Sequence, residues 1–236
     1  MSSVKWKAPR YPTLKTQNLT LNTEKLSQFF TIHPDNPQLR LIRRAVGIIR
    51  RGGVIVYPTD SCYALGCHVG DKAAMERIRA IREVDARHHF GLLCRDLAEA
   101  ATYARIDDRQ FRLIKAATPG SYTFILHAMR EVPRRLLHPR RKTIGVRIPA
   151  HRVVHALLAE LGEPLLSSTL ILPGDATPLN DAREMRARLE HRVDLILDAG
   201  SCGIVPTTVV DLTAEVPVIT RQGRGSAELF GVAVGA

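Results

Sequence analysis

The chain has 236 residues, of which 45% are hydrophobic and 24% charged, a composition that excludes a disordered or fibrous protein. Its net charge of +11, with 27 arginines among 34 basic residues, favours an anionic partner such as RNA or a nucleotide, although a solvated basic surface gives the same count. The sequence shows no apolar run of membrane-spanning length, no secretory h-region and no CxxC pair among its four cysteines, which together predict a cytoplasmic protein.

Residues 1–26 differ from the remainder of the chain. They contain five basic residues and one acidic residue, with little apolar periodicity. This pattern predicts a flexible basic N-terminal extension, followed by one domain over residues 27–236. A transit peptide and an extended translation start are the alternatives.

The predicted helices follow apolar residues that recur at helical spacing. The first carries Leu39, Ile42, Val46 and Ile49 and ends before Gly52 and Gly53. Capping residues predict where the next three helices begin, and these are Asp71, Asp96 and Asp108. Two later helices are predicted over residues 153–161, which end at Gly162, and over Ala182–Leu189.

The predicted strands are short runs rich in β-branched and aromatic residues. They cover residues 54–57, 92–94, 122–126, 144–148, 165–168, 195–197, 209–211 and 218–220. Strands that alternate with helices in this way are typical of an α/β domain. The sequence therefore predicts a single α/β domain with a twisted mixed β-sheet and flanking helices, rather than a barrel.

The segment GGVIVYPTDSCYALG, residues 52–66, combines a buried strand with polar residues at its end. Hydroxyls and a carboxylate in that position are typical of ligand sites in α/β sheets, whereas a polar turn that caps a helix would have the same composition. The chain has neither a GxxxxGK[ST] loop nor a GxGxxG loop after a strand. A bound nucleotide would therefore depend on arginines, hydroxyls and backbone amides.

This segment resembles the PTETVYGLG motif of the YrdC/YciO family, and further motifs follow in order. TPGSYTFIL (118–126) is similar to WPGPLTLIL, TIGVRIP (143–149) to TVAVRMP and PLLSSTLILPG (164–174) to PLVATSANLSG. VDLILDAG (193–200), TTVVD (207–211) and ITRQG (219–223) also match family elements. The opening SQFFTIHPDNPQLRLI (27–42) is similar to the YciO branch, so the resemblance implies a YrdC-like fold over most of the chain.

The resemblance also implies an activity. Family synthases convert threonine, bicarbonate and ATP into threonylcarbamoyl-AMP and pyrophosphate, a step in the threonylcarbamoyladenosine modification of tRNA. The implied substrate is ATP, accompanied by Mg²⁺, and no covalent catalytic residue is needed because catalysis rests on positioning and charge stabilisation. The alternative is a non-catalytic double-stranded RNA-binding or ribosome-binding module, and the oligomeric state is left open.

The matched positions imply a set of site residues. The residues matched to threonine binding are Thr59, Tyr63, Thr123, Arg147, Ser168 and Thr207. The residues matched to ATP binding are Arg82, Arg87, Thr169 and Arg221. Each also has a structural interpretation, since threonines suit strands and an arginine can pair with a surface acid.

Two positions depart from the synthase pattern. The family has a KxRP stretch whose basic residues hold the ATP phosphates, and here Arg82 replaces the lysine while Val84 occupies the second basic position. Ile171 stands where the family has an asparagine, so one hydrogen-bonding group is lost. These differences favour a weak synthase or the RNA-binding alternative.

Two basic clusters are predicted to contact the phosphates of double-stranded RNA. The first basic cluster comprises Arg43, Arg44, Arg50 and Arg51. The second basic cluster comprises Arg134, Arg135, Arg140, Arg141 and Lys142. Solvated basic faces are the alternative for both. No set of cysteines and histidines has the spacing of a zinc site, so no metal is predicted.

Overall fold

A computed structural model describes residues 26–85, 88–138 and 140–231. Within these ranges the helices are α1 (Leu39–Arg50), α2 (Lys72–Arg82), α3 (Leu97–Tyr103), α4 (Asp108–Ala117), α5 (Arg152–Leu161) and α6 (Ala182–Leu189). The strands of the first half are β1 (Gln28–Thr31), β2 (Ile55–Tyr57), β3 (Ala64–His68), β4 (Gly91–Leu93) and β5 (Tyr122–His127). The others are β6 (Thr143–Arg147), β7 (Leu165–Thr169), β8 (Leu195–Asp198), β9 (Thr208–Asp211) and β10 (Val218–Arg221).

The strands of the described residues form one mixed sheet in the order β1-β8-β2-β3-β7-β4-β6-β5-β9-β10. The sheet contains parallel pairs, such as β1 with β8 and β5 with β9, and antiparallel pairs, such as β3 with β7 and β5 with β6. The predicted single α/β domain with a mixed sheet and flanking helices is confirmed. None of the helices in the described ranges has the length and apolar character needed to cross a bilayer.

One face of the sheet is covered by helices over its central strands. Alternate residues of the central strands, among them Leu65, Leu92, Phe124 and Val146, pack against the apolar sides of α2, α3, α4 and α6 in one buried cluster. Because side chains of a strand alternate between its two faces, the intervening residues must point to the opposite side. We call the covered side the first face.

The second face is covered only in part. Helices α1 and α5 pack against each other and against the β1, β8, β2 and β3 half of the sheet, where residues such as Ile55 and Leu195 are buried beneath them. Beyond these helices the same face presents polar or small residues, including Thr123, Gly145 and Arg147. The uncovered half of the second face therefore forms the floor of a cleft.

Two elements and one cap differ from the sequence predictions. The prediction that Asp108 caps α4 is wrong, because Asp107 precedes the helix, its side chain accepts a hydrogen bond from the Gln110 backbone, and Gln110 closes a capping box. The sequence pattern also missed β1 and β3. β3 lies between two other strands, and its small, continuously buried residues do not alternate in polarity.

Candidate functional site

The cleft over the uncovered half of the second face has a volume of about 500 Å³. It is lined by residues of β4, β5, β6, β7, β9 and β10, together with the C-terminal end of α2. Several predicted site residues line it, and these are Arg82, Thr123, Arg147, Ser168, Thr169, Thr207 and Arg221. These residues come from segments that are far apart in the sequence, and the fold of the sheet brings them to one cleft.

Two glycines without side chains lie on the floor of the cleft and leave space above the backbone. Gly91 of β4 is the register partner of Gly145 in β6, and both line the cleft. Their neighbours across the sheet are Ser167 and Ile125. Glycines inside strands commonly mark positions where a ligand approaches the backbone closely, and here they open the space between the polar walls.

Arg147 lies at the end of β6 and is only 7% exposed. Its Nη2 donates hydrogen bonds to Thr59 Oγ1 at 3.0 Å and Ser61 Oγ at 2.9 Å, and it forms an ion pair with Asp60. Its Nε is buried without a hydrogen-bond partner among the described residues. A guanidinium that lines the cleft and has donor capacity left is suited to a further anion, such as a carboxylate.

Asp60 balances the charge of Arg147. Burial by itself would raise the pKa of this carboxyl group, but the Arg147 charge and hydrogen bonds from Ser121 and the Ala150 backbone outweigh it and lower the pKa below the ordinary value. The sequence analysis noted this carboxylate in the 52–66 segment and gave it no role. The polar turn after β2 therefore orients an arginine of β6.

A second polar group in the cleft contains the hydroxyls of Thr123 and Thr207 and the guanidinium of Arg221. The Oγ1 atoms of Thr123 and Thr207 are 2.8 Å apart, and the Arg221 guanidinium donates to the backbone carbonyl and Oγ1 of Thr207. Those partners of Arg221 are uncharged, so its positive charge is not neutralised by them. This wall combines hydroxyl donors with a cation, as a phosphate group requires.

Arg82, Ser168 and His88 form a closed triangle at the third wall. Arg82 Nη1 lies 2.5 Å from Ser168 Oγ and 2.8 Å from His88 Nε2, and those two atoms are 3.1 Å apart. Because arginine can only donate, His88 Nε2 must accept and its imidazole is neutral. Burial and the Arg82 charge lower the pKa of His88 to about 4, which agrees with that state.

His88 also makes the fold sensitive to acid, and His88→Gln is expected to reduce this sensitivity. The folded pKa of about 4 lies below the ordinary 6.5, so its stabilising contribution is present above pH 6.5 and is lost as the pH falls towards 4. We expect about 1–2 kcal/mol from this residue, since solvent screens a half-buried group. Urea denaturation of both proteins from pH 7 to 4 measures the difference, and parallel curves would contradict the assignment.

Other predicted site residues lie elsewhere or act indirectly. Thr59 is fully buried beneath the cleft, where its Oγ1 donates to the Cys62 carbonyl and accepts from Arg147. Tyr63 packs in the cluster on the first face and donates its hydroxyl hydrogen to the Gly200 carbonyl, away from the cleft lining. Arg87 lies outside the described residues.

The two basic clusters occupy different places. In the first basic cluster, Arg43 pairs with Glu160, Arg44 stacks over Phe30, and Arg50 donates to carbonyls at the C-terminal end of α5. In the second basic cluster, Arg141 lines the cleft and pairs with Asp211, and Arg135 donates to the Gly70 carbonyl. Only the second basic cluster therefore adjoins the cleft, among the residues that the structure describes.

The fold and the cleft together define a single-domain α/β protein with an arginine-lined cleft over one face of its sheet. The profile of the Sua5_yciO_yrdC family, which carries the description "Telomere recombination", matches residues 47–223. The chain belongs to the Sua5/YciO/YrdC family, so the resemblance found in its motifs is confirmed.

Three relatives place the chain within that family. It is 57% identical over 205 residues to "Uncharacterized protein YciO" of Escherichia coli K12, with 87% of this chain and 100% of the relative covered, and the E. coli YciO crystal structure superposes with a TM-score of 0.84. It is 33% identical to the threonylcarbamoyl-AMP synthase of Chromobacterium violaceum, with 76% and 92% covered. The P. abyssi Sua5 structure complexed with L-threonine has a TM-score of 0.77 and 26% identity, with 84% and 58% covered.

Proposed function

We propose that the cleft binds a nucleotide and an amino-acid carboxylate, and that the chain forms threonylcarbamoyl-AMP from threonine, bicarbonate and ATP for tRNA modification. The observation that carries this proposal is the buried Arg147, which lines the cleft and whose Nε has no hydrogen-bond partner among the described residues. Two similarities support it, the relative named threonylcarbamoyl-AMP synthase and the Sua5 structure complexed with L-threonine.

The proposed reaction needs charge stabilisation more than a covalent residue. A carbamate oxygen forms a bond to the α-phosphorus of ATP, the bond to the β-phosphate oxygen breaks, and pyrophosphate leaves. Arg147 would hold the carboxylate or carbamate, while Arg82 and Arg221 would face the phosphates. Thr123, Ser168, Thr169 and Thr207 would supply hydroxyl contacts, as the sequence analysis predicts.

Mg²⁺ would reach this site with the nucleotide. No group of three or more histidine, cysteine or acidic residues within the described ranges could hold a metal ion. Asp60 and Asp211, which lie beside the cleft, are each paired with an arginine. When bound, the ion would offset phosphate charge through the phosphate oxygens and waters.

The activity is tested by threonine-dependent pyrophosphate release from ATP in the presence of bicarbonate, with chromatography of the adenylate. Thr59→Ala is expected to reduce the rate about 10-fold, because Thr59 Oγ1 positions both Arg147 and the Cys62 carbonyl. Thr220→Ala is the matched control, since this exposed threonine lies on the edge strand β10. A wild-type rate equal to a protein-free blank would contradict the proposed activity.

Binding of double-stranded RNA is a second candidate function. The observation that favours it is the position of the second basic cluster beside the cleft, where Arg141 and His138 contribute to the lining. Arg134 and Arg140 of the same cluster are exposed. A positive surface next to a nucleotide cleft would allow RNA phosphates to align with the site.

The position of the RNA contacts can be measured by salt dependence. The plot of log affinity against log salt has a negative slope for duplex RNA. In the double variant Arg140→Ala with Lys142→Ala, the magnitude of this slope is expected to fall by about 2, because two phosphate contacts are lost. Arg112→Ala with Lys115→Ala removes equal charge from exposed positions of α4, which packs on the first face, and should leave the slope unchanged. Equal slopes for both variants would locate the RNA elsewhere.

A further inference from the structure

A side chamber of about 180 Å³ adjoins the cleft. His88, His89, Phe90 and Leu136 line both spaces, so the chamber and the cleft share a wall. Residues of the second basic cluster, Arg134 and Arg135, complete its lining.

The inner surface of the chamber is suited to a flat ring. Phe90, Leu136 and Leu137 provide apolar walls, while the rings of His88 and Phe90 meet edge to face with centroids 5.4 Å apart. A nucleobase gains contact from such aliphatic and aromatic surfaces, which a small inorganic anion cannot use. The chemistry of the walls favours a nucleobase.

The imidazoles add a stacking surface at the junction with the cleft. His89 stacks on His138 with ring centroids 4.9 Å apart and planes 27° apart. Burial and the neighbouring His138 lower the pKa of His89, which favours a neutral ring at physiological pH. The aromatic content of 5% counts only phenylalanine, tyrosine and tryptophan, so composition does not reveal this histidine surface.

The charge beside the chamber fits the phosphates on either side of such a base. Arg135 is fixed by its hydrogen bond to the Gly70 carbonyl, and Arg134 is exposed next to it. Arg140 and Lys142 follow in the same loop. A nucleobase subsite flanked by cations matches one nucleotide of a polynucleotide better than a free base.

We propose that this chamber binds one unpaired nucleobase of an RNA whose flanking phosphates contact the second basic cluster. The inference rests on the RNA-binding candidate above and adds that the RNA presents a bulged or looped nucleotide. A duplex alone would occupy the basic surface, while the unpaired base supplies additional affinity through stacking.

The test compares two RNA hairpins with identical stems, one fully paired and one with a single bulged 2-aminopurine. Fluorescence anisotropy is expected to show about 10-fold tighter binding of the bulged hairpin, within the range of one base–aromatic stack, and 2-aminopurine emission should change on binding. Leu137→Trp, which fills the chamber, should reduce the bulged hairpin to the affinity of the paired one. His89→Ala, which removes a ring without adding bulk, should act in the same direction.

Leu229→Trp is the control, because it adds the same side chain at an exposed position of the C-terminal turn. Equal affinity for the two hairpins would overturn the chamber proposal while leaving RNA binding intact. Equal loss of affinity for both hairpins in Leu137→Trp, with both affinities unchanged in His89→Ala, would overturn it as well. Binding of neither hairpin would remove the RNA-binding candidate too, and pyrophosphate release reports separately on the synthase proposal.

Discussion

Arg147→Ala is expected to lower the free energy of unfolding by about 3–5 kcal/mol and to abolish binding of L-threonine. The side chains of Arg147 and Asp60 are each 8% exposed, so truncation of the arginine leaves a buried carboxylate without its counter-charge. The hydroxyls of Thr59 and Ser61 lose a donor in the same change. Urea denaturation measures the first effect, and calorimetric titration with L-threonine the second.

A double substitution separates the two effects. Asp60→Ala combined with Arg147→Ala removes both charges, so it should recover part of the stability lost in the single variant. Threonine binding should stay absent, because no guanidinium remains for the carboxylate. If the double variant is no more stable than Arg147→Ala, the buried pair is not the source of the loss. If either variant still binds threonine, Arg147 is not the carboxylate contact.

The cleft could be anticipated in part from the strand patterns. In β5, Tyr122, Phe124 and Leu126 alternate with Thr123 and Ile125, and in β6 the apolar Ile144 and Val146 alternate with Thr143, Gly145 and Arg147. In β2 and β8 the buried residues run continuously. Alternation indicates a strand with one uncovered face, whereas a continuous apolar run indicates cover on both faces. The first pair of strands therefore predicts an open surface and the second a buried one.

The contacts of individual side chains depended on loop conformations that no local pattern encodes. His88 reaches Ser168 because the chain turns after α2, where Glu83 adopts a left-handed conformation with a φ of 50°. Asp60 contacts Arg147 across a separation of 87 residues. The resemblance to the family motifs predicts that Thr59, Ser168 and Arg147 belong to one site. The partners that orient them follow only from the fold.

The turn after α2 also determines the surroundings of Val84 and Ile171, the two positions that depart from the synthase pattern. Val84 stands at the second basic position, and the neutral His88 supplies an acceptor to Arg82. Arg82 Nε also donates to the backbone carbonyl of Ile171 at 3.3 Å. Arg82 is thus held in place by uncharged partners, and the wall contains less positive charge than a lysine–arginine pair would provide.

Ile171→Asn is therefore expected to increase the affinity for ATP about 10-fold, the second large effect. Ile171 lines the cleft beside Arg82, so an amide there could donate to a phosphate oxygen and accept from the guanidinium. A hydrogen bond to a charged group contributes about 1.5–3 kcal/mol, and part of that is offset by the lost apolar contact of isoleucine. Nucleotide titration and threonine-dependent pyrophosphate release measure the gain.

Ile171→Leu is the matched control, because leucine resembles asparagine in shape but has no hydrogen-bonding group. If asparagine and leucine give the same affinity for ATP, the amide makes no contact and the phosphates lie away from this wall. If only asparagine raises affinity and rate together, Arg82 and residue 171 face the phosphates. The isoleucine would then account for a weak synthase activity of this chain.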